Sequence, residues 1–214
     1  MIKALFLIFD PMTAWDRVAN SRRGLLSIVT FYLLPMMLIV GAVEGYGLVE
    51  WGRGQSGSSA VKKFTPQEAA VAEVAEMLLM GVAIAACAHM IKALSGTFRG
   101  GQTYTQAFKL VIYGLSPLFL LRLLDFAPKM PLLVPWILGM MLCVKILYIG
   151  VPRVMHVEPP HAFGLFVMSA LLIVMVTGLE RYLTAGYLAG NFKPVGQVIS
   201  HIISLIVSKL EFWK

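Results

Sequence analysis

Apolar residues in this chain come in long runs that fill most of it. Five runs, roughly 24–49, 69–94, 107–126, 132–151 and 162–182, are each long enough to cross a bilayer. A helix rises about 1.5 Å per residue, so a hydrocarbon core about 30 Å thick needs about 20 apolar residues. No water satisfies backbone groups inside lipid, so runs of this length must close their own hydrogen bonds as helices. The pattern predicts an all-α polytopic membrane protein, a five-transmembrane-helix bundle.

The flanks carry a different pattern. Ile2, Leu5, Phe6 and Phe9 share one helical face on a stretch too short to span, which predicts an interfacial amphipathic helix. Thr13-Ala-Trp-Asp16 resembles a capping arrangement that starts a second short helix. Trp15 and Arg17 suit the headgroup depth that indole and guanidinium groups favour. At the other end, Val195, Val198, Ile199, Ile202, Ile203, Ile206, Leu210 and Trp213 follow the rhythm of an amphipathic helix. Its polar face favours a helix in the interface over a sixth crossing. The domain reading is a cytoplasmic interfacial segment (1–23), a five-span membrane domain (24–182) and an amphipathic tail (183–214).

Within the spans, Pro35 predicts a bend in the first. Gly81, Ala83, Ala85, Ala86 and Ala88 predict that the second is central, because small residues let helices approach closely. Pro117 and Gly139 are expected to mark a bend or a close helix contact, with 113–120 facing the bundle interior. Lys145 interrupts the fourth span near its end, where its stem can reach water.

Composition agrees: 58% of the 214 residues are hydrophobic and 14% are charged, against about 25% charged in soluble domains. The 50–69 connection is rich in Gly and Ser and offers nothing to build a second core. The first residues do not read as a cleaved secretory signal, since Asp10-Pro11 stands where small cleavage-site residues belong. The net charge of +7 reads as loop bias and not as a nucleic-acid footprint. Lys3, Arg17, Arg22 and Arg23 precede the first span, and Lys92, Arg99 and Lys109 lie around the second-to-third connection. Cytoplasmic loops are enriched in such residues, which places the N-terminus inside and the C-terminus outside. Arg53, Lys62 and Lys63 in the opposite loop run against the trend.

Candidate chemistry sits at one depth. Glu44, Glu73, Glu76, Arg122 and Asp125, joined by Glu180 and Arg181, fall near the outer ends of their spans. Intramembrane charges are expensive unless paired or wet, so three readings compete: interfacial anchoring, structural ion pairing, and a substrate or proton site. Arg122 is expected to find Glu44, Glu73 or Glu76 across helices, or Asp125 locally. His89, His156, His161 and His201 are scattered, and no pair has the i, i+4 spacing of a zinc helix. No nucleophile elbow, phosphate loop or dinucleotide fingerprint is present. No catalytic, cofactor-binding or metal residue is assigned, no cofactor is expected, and the chain does not read as an enzyme. Cys87 and Cys143 lie inside spans and read as small packing residues.

The third to fifth spans carry a resemblance. Ile112-Tyr113-Gly114-Leu-Ser116-Pro117-Leu-Phe-Leu120 resembles the third-span stretch of the Yip-domain family, small five-span proteins named for interaction with Ypt/Rab GTPases. Tyr148-Ile-Gly150-Val-Pro152 is similar to the Tyr-x-Gly-x-Pro turn that leads short bacterial members into their last span. The resemblance implies a five-helix fold in a bacterial inner membrane, N-terminus cytoplasmic, with a non-enzymatic role in membrane organisation or protein interaction. Eukaryotic relatives carry a long N-terminal region and an Asp-Leu-Tyr-Gly-Pro motif. Neither is here, so Rab binding does not transfer. The expected partners are the lipid bilayer and a second copy or another membrane protein. Two functions compete with that role: a small transporter or channel using the outer polar cluster, and a metal-dependent membrane enzyme, supported only by the scattered histidines.

Overall fold

Each apolar run is helical over more residues than a crossing requires, in a computed structural model that describes residues 2–21, 23–54, 61–100, 103–127, 130–131 and 133–190. The five spans are Leu25–Glu50, Pro66–Thr97, Tyr104–Phe126, Leu133–Met155 and Pro159–Leu188. Two short helices, α1 (Ile2–Phe9) and α2 (Pro11–Ala19), precede them. The first and second spans are joined through paired two-residue strands, β1 (Arg53–Gly54) and β2 (Val61–Lys62), with Arg53 opposite Lys62. The expected tail helix lies outside the described residues.

Proline shapes two spans. Pro35 has no N–H to give to the carbonyl four residues back, and its ring crowds that carbonyl. The first span answers with a π-helical turn over Val29–Leu33, which ends two residues before it. The third span breaks at Leu115 between Tyr104–Gly114 and Ser116–Arg122. Pro117 leaves the Tyr113 carbonyl without its helical donor, and the Ser116 hydroxyl donates to that carbonyl at 2.7 Å. Ser116 in turn accepts from the Tyr32 hydroxyl on the first span at 2.6 Å, so the break is stitched to a neighbouring helix. Ser116→Ala removes both links and strands two buried polar groups. It is expected to destabilise the protein by about 1–3 kcal/mol, read as a lower unfolding midpoint in detergent.

The enclosed helix is the third span, not the second. Over its most apolar window 78% of residues are buried, against 39% for the second. The second span packs on the first, third and fifth, but a methyl added to Gly81 would meet nothing within 4 Å, and Ala86 is exposed. Small residues there are spread around the helix, and only some meet a neighbour. Gly139 does mark a close contact: a methyl added to it would lie 2.9 Å from the Leu118 Cα. Leu26, Phe31, Leu78, Val82, Met141 and Met175 remain exposed on the outer faces, as lipid-facing side chains must be.

The N-terminal helices are tied to the bundle. Helix α2 starts at Pro11 with Asp10 as its N-cap, its carboxylate accepting from the Thr13 N–H at 3.3 Å. The expected start at Thr13 is therefore displaced, because proline at the first helical position with an acidic cap outcompetes a later Thr. Trp15 is not an interfacial anchor. It is fully buried, and its indole N–H donates to the Ile146 carbonyl of the fourth span at 3.0 Å. Lys109, expected among the loop charges, is buried and donates to the Ser21 carbonyl just beyond α2 at 2.6 Å. Helix α1 packs on α2 and on the third and fourth spans.

Candidate functional site

Four spans deliver the ionisable groups to one place. The first span brings Glu44, the second Glu73 and Glu76, the third Arg122 and Asp125, and the fifth Glu180 and Arg181. All seven are at least nine-tenths buried, so interfacial anchoring does not describe them. The spacing explains their convergence. Glu73 and Glu76 are one turn apart and share a face, and the first and third spans end where the second begins.

Arg122 is the hub. Its Nε donates to Glu44 Oε1 at 3.0 Å and its Nη2 to Glu44 Oε2 at 2.7 Å, a two-pronged match of planar groups. The same Nη2 also meets Glu76, and Glu180 lies 4.0 Å from Nη1. Asp125, the expected local partner, instead pairs with Arg181 of the fifth span. Arg181 Nη1 bonds Glu76 at 3.2 Å, so Glu76 bridges the two guanidiniums. Glu73 stands apart: no hydrogen bond or ion pair reaches it among the described residues.

Two features position the cluster that the hydropathy pattern did not single out. Gly41 and Gly45 form a groove on the first span. A methyl on Gly41 would lie 3.4 Å from Glu73 Oε2, and one on Gly45 3.3 Å from Glu73 Cγ. The Gly-x-x-x-Gly spacing is the sequence signal for this groove, since it lets helices approach closely. Arg53, in the loop after the first span, donates to the Asp125 carbonyl at 2.5 Å and to the Met130 carbonyl at 3.3 Å. Partial burial lowers its pKa from the ordinary value, while the nearby Glu44, Glu76 and Glu73 pull it back up. The loop itself is anchored by a capping box: Thr65 Oγ1 accepts from the Glu68 N–H at 3.2 Å, and Glu68 accepts from the Thr65 N–H at 2.9 Å.

Chemically the cluster can clamp helices, hold protons or bind a cation. It offers no nucleophile and base pair. Two cavities touch it, one beside Gly41, Glu73, Glu76 and Arg122 and one beside Glu44, Arg53, Glu73 and Arg181, each of about 10 Å³. That is room for about one water. His89 and His156 are exposed on the surface, away from this cluster.

The residues of the resembling motif serve packing. Tyr113 and Ser116 are buried in the bundle, with Tyr113 4.6 Å from the Tyr32 ring centre to centre. Pro117 is buried at the third-span break, and a methyl on Gly114 would lie 2.6 Å from Leu147 Cδ2. Tyr148, Gly150 and Pro152 do not form a turn. They lie within the helix Leu133–Met155, and the chain turns after it, at residues 156–158. Gly150 is where the Trp15 indole rests, and Tyr148 is exposed with its ring edge-on to Phe166.

Comparison with known families matches residues 5–179 to the Yip1 domain. No curated protein and no solved structure matches the chain.

Proposed function

The chain belongs to the Yip1 domain family, and from that premise we propose that it is a non-enzymatic membrane-organising scaffold that acts by binding other membrane proteins or a second copy of itself. The observation that carries this reading is the closure of the bundle at its polar end. The guanidiniums of Arg122 and Arg181 are engaged by carboxylates from the first, second and third spans, and the cavities beside them have room for about one water each. A solute route needs a continuous wet path, and the charges that would line it are used to hold helices together. The surface left for action is the broad apolar exterior and the N-terminal helices. The Lys and Arg distribution supports a cytoplasmic N-terminus, and the family resemblance supports a bacterial inner membrane.

Photo-crosslinkers at Leu78 and Val82, exposed side chains of the second span, test the scaffold reading in native membranes. Discrete protein adducts at one helix face and not at Met141 on the fourth span are expected. Lipid adducts alone at all three positions contradict it. The second reading, a small transporter, is favoured by one observation, the unpaired Glu73 deep in the cluster. Reconstituted protein that carries ions or protons across vesicles, and loses this with Glu73→Gln, would favour it.

A further inference from the structure

We propose that Glu73, together with Glu44 and Glu76, forms a divalent-cation site between the first and second spans. Each of the three offers a carboxylate oxygen, and these oxygens lie within 4.8 Å of one another. Ligands on opposite sides of a Ca²⁺- or Mn²⁺-sized ion are about 4–5 Å apart, since such ions sit about 2.1–2.6 Å from each oxygen. Oxygens this close together can share one such ion, with Glu44 and Glu76 keeping their contacts to Arg122 at its edge.

Two independent observations point to a ligand. The first is that Glu73 is 92% buried, at 8% exposure, and has no hydrogen-bond or ion-pair partner among the described residues, although it borders both cavities of the cluster. A buried carboxylate is costly unless something meets it. The second is a charge excess. Among the described residues, five carboxylates (Glu44, Glu73, Glu76, Asp125 and Glu180) face three guanidiniums, those of Arg53, Arg122 and Arg181. With all five ionised, two negative charges are left over, which one divalent cation or two bound protons balance, and a Mn²⁺ titration separates the two. Neither Glu180 oxygen finds a hydrogen bond, and its nearest guanidinium nitrogen, Arg122 Nη1, is 4.0 Å away. The contacts of Glu44 and Glu76 to Arg122 do not preclude metal binding, because an ionised carboxylate has about four lone-pair sites and can face a guanidinium and an ion together. The Gly41 and Gly45 groove lets Glu73 lie against the first span: a methyl at Gly41 would be in ordinary contact with it at 3.4 Å, and one at Gly45 in tight contact at 3.3 Å. This inference does not rest on the scaffold reading, since a cation holding two spans together is compatible with either function.

The test uses the full-length protein in detergent, stripped with a chelator and titrated with Mn²⁺ alone. Wild type is expected to bind one Mn²⁺ per chain, seen as loss of the free-ion paramagnetic resonance signal, with a saturable rise in the unfolding midpoint that Ca²⁺ reproduces. Glu73→Gln should weaken binding at least tenfold. Its metal-free midpoint should be no lower than that of wild type, because Glu73 supports neither arginine. Glu158→Gln, at an exposed connection, should bind as wild type does. No stoichiometric Mn²⁺ binding by wild type, or equal binding by Glu73→Gln, overturns the proposal and assigns the excess charge to bound protons.

Discussion

Arg122→Ala is expected to destabilise the fold by about 3–5 kcal/mol, the range for removing one partner of a buried ion pair. The magnitude follows from what remains and not from the worth of the bonds removed. Glu44 would lose both of its hydrogen bonds, and Glu76 would keep only Arg181. Arg181, 3.2 Å from Glu76 and 4.0 Å from Glu44, would then face alone the carboxylates that two guanidiniums had met, beside cavities with room for about one water each. Arg122→Lys should recover little, because an ammonium cannot reproduce the fork that spans both Glu44 oxygens. Thermal unfolding in detergent reads the effect. A midpoint unchanged by Arg122→Ala would mean that the guanidinium reaches water and pairs only incidentally.

Trp15→Ala should be comparably damaging, about 3–5 kcal/mol for removing a fully buried large aromatic. The indole joins the N-terminal segment to the fourth span in two ways: its ring rests on Gly150, and its N–H satisfies the Ile146 carbonyl. The loss should appear both as a lower unfolding midpoint and as faster proteolysis within α2, which packs on that span. Unchanged protease resistance in a destabilised variant would contradict the anchoring role. Gly150→Leu attacks the same contact from the other side and should have the same protease phenotype, since its side chain would occupy the space of the indole.

Helix number was legible because the length of an apolar run is a one-dimensional quantity, and spans of 23 to 32 residues with little charge are hard to mistake. Depth was legible too, so Glu44, Glu76, Arg122 and Arg181 could be placed at one level of the membrane. Whether they face water, lipid or one another depends on the rotation of each helix and on which helices are neighbours, and neither is written in a hydropathy profile. The pairing of Asp125 with Arg181 in preference to its own neighbour Arg122 illustrates this: three residues apart on one helix is close, but a guanidinium from the fifth span is better aimed. Trp15 misled for a related reason. Indoles near the first positive charges usually mark the interface, and only the distant Gly150 reveals the pocket that takes this one. The Gly41 and Gly45 spacing and the Thr65 to Glu68 capping box are local signals that a reading centred on charge passes over. The Tyr148 to Pro152 stretch shows the limit of motif reading, since a proline near a helix end is accommodated there without ending it.

We infer that charges from separate spans hold the polar end of the bundle closed, and the coupling between Arg122 and Glu44 tests this most directly. A double-mutant cycle with Arg122→Gln, Glu44→Gln and the pair, read by unfolding in detergent, should give a coupling energy toward the upper part of the range of about 0.5–3 kcal/mol for residues in direct contact. The exchanged pair Arg122→Glu with Glu44→Arg should also be more stable than either single reversal. Additive effects, with no coupling and no rescue by exchange, would contradict the lock.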